Sequence, residues 1–287
     1  MAKVLEQKPL NPSVTLLKVH APLVAKKAKA GQFIILRVDQ LGERIPLTIA
    51  DFDPEEGSVT IIVQKVGLTT QMLGQMQPGD EILDFVGPLG RPTELEGHQR
   101  AVVIGGGVGT AIAYPQAKAL HAMGAHVDVI TGFRNKDLVI LEDELKEICD
   151  NLYVTTDDGS YGEKGFVTDK LRQLIEAGNQ YDVCIAIGPT PMMKFLCLLT
   201  KEFGLKIIVS LNPIMIDGTG MCGGCRVMVG GEQKFACVDG PDFDGHLVDF
   251  DSLINRSSYY RQHEADKLAD HACRMTEAFH ARLEKEG

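Results

Sequence analysis

The feature that most constrains the fold is a change of sequence pattern near residue 97. Before it, short β-branched runs broken by Pro, Gly and Asp recur at spacings typical of an antiparallel barrel, namely VTLLKVHA, GQFIILRV, RIPLTIA, GSVTIIVQKV and GDEILDFVG. After it, apolar runs such as AVVIG and HVDVITG alternate with helix-like segments such as TAIAYPQAKALHAM. The pattern predicts an antiparallel β-barrel over residues 1–97 and a doubly wound α/β nucleotide-binding domain over residues 98–211.

Two shorter segments follow the predicted α/β domain. Residues 212–250 are rich in Gly and Cys and poor in core residues, which indicates that they fold around a bound group. Residues 251–287 are charged and helix-prone, and we expect a helical tail there. A chain of 287 residues is long enough for two domains, each with its own core.

Charge and cysteine content narrow the class of function. The formal net charge of −10 argues against nucleic acid, which is bound through Lys and Arg patches. The sequence has neither an apolar signal core nor a membrane-length apolar run, so we expect no membrane contact and a cytoplasmic location. Seven cysteines without an export signal favour free thiols or metal ligands over disulfides.

A glycine-rich turn opens the predicted α/β domain, in VVIGGGVGTAIAYP. Glycine between a strand and a helix lets the backbone approach a pyrophosphate, which the helix N-terminus stabilises. A later strand ends in IGPTPMM on the same predicted sheet edge, where open α/β sheets bind ligands. The predicted nucleotide-binding residues are Gly105, Gly107, Val108, Gly109, Thr110, Gly188, Pro189 and Met192. A purely structural turn is the alternative.

The barrel carries two further candidate stretches. In RIPLTI, Arg44 would pair with a phosphate, the Pro46–Leu47 backbone would run along a planar ring, and Thr48 would donate a hydrogen bond. In VGLTTQML, Gly67 precedes two small hydroxyl donors, Thr69 and Thr70. Taken singly, the first stretch is more typical of a surface strand, and the second is typical of an ordinary turn.

Together and in this order, these motifs resemble the ferredoxin–NADP reductase superfamily. Its members join a flavin-binding barrel to a nicotinamide-nucleotide domain, so the resemblance implies FAD and NAD(H). The flavin motif of the family, Arg-x-Tyr-Ser/Thr, is matched at Arg44 and Thr48 with one extra residue and Pro–Leu in place of Tyr. That form, with GPLGRP, TDDGSYGEKGFVTD and IGPTPMM, is similar to the electron-transfer subunits of dihydroorotate dehydrogenase.

The stretch DGTGMCGGC at residues 217–225 is the candidate metal site. Plant-type [2Fe–2S] proteins use the spacing C-x4-C-x2-C…C. Asp217, Cys222, Cys225 and the later Cys237 reproduce this spacing with aspartate in the first place. The same four residues also suit Zn²⁺. The flavin-type context favours the cluster, because a one-electron carrier commonly follows a two-electron one.

Aspartate at position 217 also distinguishes this sequence from the dihydroorotate dehydrogenase subunits, which carry cysteine there. Three cysteines with aspartate resemble the small subunits of electron-bifurcating NADH-dependent ferredoxin:NADP oxidoreductases, also called sulfide dehydrogenase subunits. The resemblance implies that electrons pass between NAD(H), FAD and the cluster to a larger flavin and iron–sulfur subunit in a heterodimer. That subunit would handle ferredoxin and NADP(H).

Three alternatives stay open from the sequence: a dihydroorotate dehydrogenase electron-transfer subunit, a stand-alone flavin reductase, and a zinc-binding adaptor without redox activity. We expect no catalytic side chain, because the flavin itself performs hydride chemistry. Asp157, after a predicted strand, is a candidate contact to nicotinamide or ribose. Arg134 and Lys136 offer thin support for a 2′-phosphate site, and the resemblance favours NAD(H).

Overall fold

Residues 1–257, together with Tyr259 and Asp266, are described by a computed structural model. The first third of the chain forms two antiparallel sheets. Its elements are β1 Ala2–Asn11, β2 Val14–His20, α1 Pro22–Ala25, β3 Phe33–Arg37, β4 Ile45–Thr48, β5 Asp51–Asp53, β6 Ser58–Gln64, α2 Leu68–Gln75, β7 Glu81–Ile82 and β8 Asp84–Leu89. One sheet has the order β5-β6-β2-β1-β7 and the other the order β4-β3-β8.

The inward faces of these two sheets form one core. Alternate residues of β2 and β6 are buried, and they pack with β3 residues such as Ile34 and Leu36. The β-branched runs of the sequence therefore become strands because each can place every second side chain in this core. The result is the antiparallel barrel that the sequence predicts.

The second part of the chain is built on a mainly parallel sheet. Its strands and those that follow are β9 Arg100–Gly106, β10 His126–Phe133, β11 Asn151–Thr156, β12 Glu163–Lys164, β13 Val183–Ile187, β14 Ile207–Ser210, β15 Arg226–Val229, β16 Glu232–Phe235 and β17 Asp242–Asp244. The helices are α3 Gly109–Ala122, α4 Glu142–Lys146, α5 Val167–Glu176, α6 Thr190–Glu202, α7 Ala236–Asp239 and α8 Phe250–Ser257, with short 3₁₀ turns at Lys136–Leu138 and Gly245–Leu247.

The sheet order is β12-β11-β10-β9-β13-β14-β17. The central strand β9 shows why its sequence is almost wholly apolar. Val102 and Ile104 face one core, whereas Ala101 and Val103 face the other, so both sides of the strand are covered. Strand β17 is antiparallel to β14 and joins the sheet from the Gly- and Cys-rich segment. The doubly wound α/β fold is therefore confirmed, with one added edge strand.

The Gly- and Cys-rich segment does not stand apart from the two larger units. Its hairpin β15–β16 is followed by α7, and the buried Cys225 and Cys237 belong to the same core cluster as Phe33 and Ile35 of the barrel. Helix α8 contacts both α6 and β15. This packing places the candidate cluster ligands against the barrel strand β3.

One strand was not predicted from the sequence, and one predicted segment lies mostly outside the described residues. The ten-residue strand β1 was not among the predicted strands, and it pairs with β2 and β7. The predicted tail over 251–287 falls mostly outside the described residues, which include only α8, Tyr259 and Asp266 of it. Among the described residues, no helix combines the length and apolar character needed to cross a membrane. The domain boundaries at 97, 211 and 250 stay predictions.

Candidate functional site

The glycine-rich turn at residues 105–110, here called the nucleotide turn, meets the start of α6. A Cβ on Gly109 would lie 2.4 Å from the Ile187 carbonyl oxygen and 2.8 Å from the Gly188 Cα. A Cβ on Gly106 would lie 2.4 Å from Met192 Sδ. Only glycine allows this approach, so the β9–α3 turn and the β13–α6 turn touch at the carboxyl edge of the sheet.

The outer part of the nucleotide turn is open. Gly107 has a φ of +55° and no atom within 4 Å of its would-be Cβ, while its N–H donates to the Gly132 carbonyl at 2.8 Å. Val108 is the N-cap of α3, and no side chain caps this helix. Thr110 is buried, and its hydroxyl has no hydrogen-bond partner among the described residues. An open turn at an uncapped helix start suits an anionic group such as a pyrophosphate.

The structure thus brings most of the predicted nucleotide residues together. Within the nucleotide turn, Gly105 lies against Thr110. Gly109 lies against Gly188, and the neighbouring Gly106 lies against Pro189 and Met192 at the α6 start. Asp157 is not in this group. It follows β11, which is separated from β9 by β10, and its N–H donates to the Phe133 carbonyl at 3.0 Å.

The next residue, Asp158, has a more defined carboxylate. Its Oδ1 accepts from Ser160 Oγ at 2.6 Å and from Ser160 N at 2.9 Å. These bonds, led by the one from the hydroxyl, hold the pKa of Asp158 below its usual range. An ionised carboxylate therefore stands at the ends of β10 and β11, where Arg134 and Lys136 are exposed.

In the barrel, Arg44 precedes β4 and its Nη2 lies 3.7 Å from Asp84 Oδ2. Asp84 also accepts from Arg37 Nε at 2.8 Å, so one carboxylate holds two arginines. Pro46, Leu47 and Thr48 lie half-buried on β4, paired with β3. The strand leaves part of each side chain accessible, as a surface for a planar ring requires.

Gly67 starts α2, and no atom lies within 4 Å of its would-be Cβ. The two hydroxyls that follow are engaged within the chain. Thr69 donates to Glu43 Oε1 at 3.0 Å, and Thr70 Oγ1 accepts from Gly67 N at 3.0 Å. The Thr69–Glu43 bond brings the α2 start beside Arg44, so the two predicted barrel stretches are neighbours.

The stretch 217–225, here called the cluster loop, is organised by Asp217. Its Oδ1 accepts from Thr219 N at 2.9 Å and its Oδ2 from Cys222 N at 2.7 Å. The Thr219 N–H is the main cause that lowers the pKa of Asp217, and the adjacent Cys222 thiol contributes in the same direction. Asp217 and Cys222 therefore form one pair of potential ligands.

Cys225 and Cys237 form a second pair. Their Sγ atoms lie 3.2 Å apart, which is much longer than the roughly 2.05 Å of a disulfide bond. Both residues are buried, and burial followed by the Cys225 thiol raises the pKa of Cys237 to about 12. A positively charged metal centre would instead stabilise the thiolate form, because metal-bound cysteine is deprotonated.

These four residues fit a [2Fe–2S] cluster better than a mononuclear metal ion. Two irons need two pairs of protein ligands; the cluster loop provides Asp217 and Cys222 for one pair, and Cys225 of the loop with Cys237 of α7 forms the other. Within the described part of the chain, no three His, Cys, Asp or Glu side chains are grouped as ligands of a single ion. The assignment of these residues as ligands stays a prediction.

Sequence reasoning missed several arginines near the candidate sites. Arg37 and its partner Asp84 belong to different strands, β3 and β8. Arg226 and Arg256 donate to carbonyl groups of the cluster loop. The contacts of Arg37 and Arg256 depend on the fold, because their partners are 47 and 32 residues away in the sequence; the contact of Arg226 with Gly223 is local, but no sequence motif predicts it.

Comparison with known proteins agrees with this arrangement. Residues 212–249 match the family model of the iron–sulfur cluster binding domain of dihydroorotate dehydrogenase B, and residues 103–198 match that of the oxidoreductase NAD-binding domain. The chain is 53% identical over 246 residues to a dihydroorotate dehydrogenase B (NAD(+)) electron transfer subunit homolog of Thermotoga maritima, covering 86% of each protein. It is 53% identical over 272 residues to an uncharacterized protein in the adh 3' region of Clostridium beijerinckii, covering 92% of each.

A solved structure extends the comparison to three dimensions. The chain superimposes with a TM-score of 0.90 and 48% identity on a chain of an NADH-dependent reduced ferredoxin-NADP oxidoreductase, a structure that gives insights into flavin-based electron bifurcation. The match covers 95% of this chain and 98% of the other. The two domain matches confirm the predicted iron–sulfur and NAD(H) cofactors. The chain therefore belongs to the family of dihydroorotate dehydrogenase B electron-transfer subunits and their homologues.

Proposed function

We propose that this chain is the small subunit of an electron-bifurcating, NAD(H)-dependent ferredoxin:NADP oxidoreductase. The observation that carries the proposal is the near-full-length likeness to a chain of such an enzyme, at 48% identity and a TM-score of 0.90. Aspartate at position 217 supports it, because this residue stands where the dihydroorotate dehydrogenase subunits resembled by the sequence have cysteine.

When bound, FAD would supply hydride chemistry, and a [2Fe–2S] cluster would supply one-electron transfer. The chain supplies the binding sites. The nucleotide turn and the start of α6 orient the dinucleotide, with Gly109 and Gly188 in backbone contact. The half-buried strand β4 and the start of α2 hold the flavin, beside Arg44. Asp217, Cys222, Cys225 and Cys237 hold the cluster.

The shared core makes an electron path from barrel to cluster short. A Cβ on Gly218 of the cluster loop would lie 2.7 Å from Leu89 Cδ1 and 2.9 Å from Ile35 Cδ1. Ile35 lies on β3, the strand that pairs with β4 opposite Pro46. The loop that holds the cluster is therefore one strand away from the strand proposed to support the flavin.

We further propose that electrons leave through the cluster to a larger flavin and iron–sulfur subunit, which exchanges them with NADP(H) and ferredoxin. A cytoplasmic location suits this function, since a reducing compartment keeps cysteines as thiols. Electron transfer to a dihydroorotate dehydrogenase is the second candidate. The cluster-domain match at residues 212–249 favours it, because that family model is named after this enzyme.

The test is to purify the chain with its untagged partner from the native source. The complex should couple NADH and reduced ferredoxin oxidation to NADP⁺ reduction, and it should show no dihydroorotate-dependent NAD⁺ reduction. Dihydroorotate activity in the complex would favour the second candidate. Full activity of the isolated chain without a partner would identify a stand-alone flavin reductase, and stoichiometric zinc would identify the adaptor.

A further inference from the structure

Two arginine side chains reach the cluster loop from outside. Arg226 Nη1 donates to the Gly223 carbonyl oxygen at 2.7 Å, and Arg256 Nη2 donates to the Gly224 carbonyl oxygen at 3.2 Å. These carbonyls belong to the two residues between Cys222 and Cys225. The short stretch between two proposed ligands is therefore held by two guanidinium groups.

The two arginines come from different elements. Arg226 is the first residue of β15, whereas Arg256 lies in the last turn of α8 and is half-buried. A Cβ on Gly223 would lie 3.2 Å from Arg226 Nη1, so this guanidinium packs directly on the loop backbone. Gly223 has a φ of +66°, a conformation that favours glycine. The contacts are thus part of the folded loop.

The orientation of the peptide groups connects these arginines to the sulfur ligands. The Gly223 carbonyl and the Gly224 N–H belong to one peptide unit, and they point in opposite directions. Arg226 binds the carbonyl, and the N–H lies 3.4 Å from Cys222 Sγ as its donor. A cation on the carbonyl polarises the peptide and strengthens the N–H···S bond at its other end.

Within residues 1–257, the ion pairs around the cluster loop involve Arg91, Lys194 and Lys234 and not these two guanidinium groups. Arg91, which contacts α7, offers a contrast. Its Nε donates to the Val238 carbonyl at 3.2 Å, but its Nη2 lies 3.8 Å from Asp239 Oδ1.

We propose that Arg226 and Arg256 are positioning residues that raise the reduction potential of the cluster, an inference that rests on the proposed function. Reduction adds one negative charge to the cluster, and two nearby positive charges stabilise that state. Strengthened N–H···S bonds act in the same direction, since hydrogen bonds to the sulfurs are among the determinants of cluster potential. The cluster thereby becomes a better electron acceptor for the flavin.

The experiment compares full-length holoprotein variants by redox titration followed by EPR. Arg226→Gln and Arg256→Gln remove the charges, and Arg226→Lys and Arg256→Lys keep them. Arg100→Gln is the matched control, because Arg100 Nε also donates to a backbone carbonyl, that of Gln180 at 2.9 Å, at the start of β9. The melting temperature of each variant after removal of the cluster gives a readout that is independent of redox chemistry.

Each Gln variant should shift the cluster midpoint to a lower potential, and the double variant should shift it further. The Lys variants should stay closer to wild type, and Arg100→Gln should match it. An unchanged midpoint in the double variant would overturn the inference. If the Gln variants lose the cluster, retention in the Lys variants supports the inference, and loss in both overturns it. A wild-type protein without a [2Fe–2S] signal would instead overturn the proposed function.

Discussion

The nucleotide turn and the cluster loop are both rich in glycine, but different forces determine their structures. In the nucleotide turn, Gly105, Gly106 and Gly109 face atoms within 2.5 Å of a would-be Cβ, so close packing requires glycine. In the cluster loop, Gly218, Gly220 and Gly223 have φ values of +74°, +82° and +66°, so backbone conformation favours glycine at each.

The contacts that hold the two loops in place also differ. The nucleotide turn joins β9 to α3 and needs no ligand to be built, since it packs on the backbone at the end of β13 and on the Met192 side chain of α6. The cluster loop is held by the Asp217 carboxylate and by arginine side chains. We therefore expect damage to the first loop to cost folding stability, and damage to the second to cost the cofactor.

Gly109→Ala should give the largest loss of stability. Its Cβ would lie 2.4 Å from the Ile187 carbonyl oxygen, and overpacking against backbone costs about 3 kcal/mol at the upper end of its usual range. Gly107→Ala is the control in the same turn, because its Cβ meets open space and only the positive φ costs about 1 kcal/mol. Chemical denaturation measures both, and equal losses would contradict the packing argument.

Asp217→Ala should remove the cluster or leave it labile, with a smaller effect on folding. The variant loses a proposed iron ligand and the acceptor for two backbone N–H groups, a type of contact whose loss costs roughly 1 kcal/mol. Asp217→Cys is the matched variant, and it should keep a cluster with an altered potential, because it restores the plant-type spacing. Iron and acid-labile sulfide analysis, together with EPR, shows whether each variant holds a cluster. Wild-type spectra in both variants would remove Asp217 from the ligand set.

Removal of the cluster should affect the cluster loop and leave the nucleotide turn intact. After iron is chelated under reducing conditions, the cluster loop should become sensitive to proteolysis, because Asp217, Cys222 and Cys225 lose the metal that ties them together. NADH binding should persist with little change in affinity, since the nucleotide turn packs on the sheet and on α6. Calorimetric titration of the apoprotein provides the measurement. Loss of NADH binding together with the cluster would show that the two sites are not independent.

The preference for NADH over NADPH is the smallest expected effect. The ionised Asp158 beyond the end of β11 would repel a 2′-phosphate, so Asp158→Asn should improve kcat/KM for NADPH by roughly two- to fivefold, a small effect because solvent screens an exposed charge. Asp143→Asn, which changes an exposed carboxylate on α4, is the control. Flavin reduction followed with each nucleotide tests this, and a wild-type preference for NADPH would contradict it.

The sequence predicted the elements with strong apolar patterns. Strands β9 and β13 could be found because every residue from 101 to 104 and from 183 to 187 is buried. Strand β1 could not, since its AKVLEQKPLN run has no regular apolar alternation and buries only Ala2 and Val4. Strand β17 has the sequence DFD, and its pairing with β14 depends on tertiary packing.

The candidate site, too, was predictable only where its residues are close together in the sequence. The spacing of Asp217, Cys222 and Cys225 is local, so it is visible in the sequence. The division into two ligand pairs, and the approach of Arg256 to the Gly224 carbonyl, depend on the fold. Spacing can therefore identify a cluster motif, whereas the charges that surround it require a structure.

The most direct test of the account is EPR spectroscopy of the full-length holoprotein after anaerobic reduction with NADH. The account predicts that the flavin bleaches and that the signal of a reduced [2Fe–2S] cluster appears in the wild type. The signal should be absent or weakened in Asp217→Ala, although NADH still reduces the flavin. A wild-type protein whose flavin is reduced by NADH without any cluster signal would contradict the proposed path from nicotinamide to cluster.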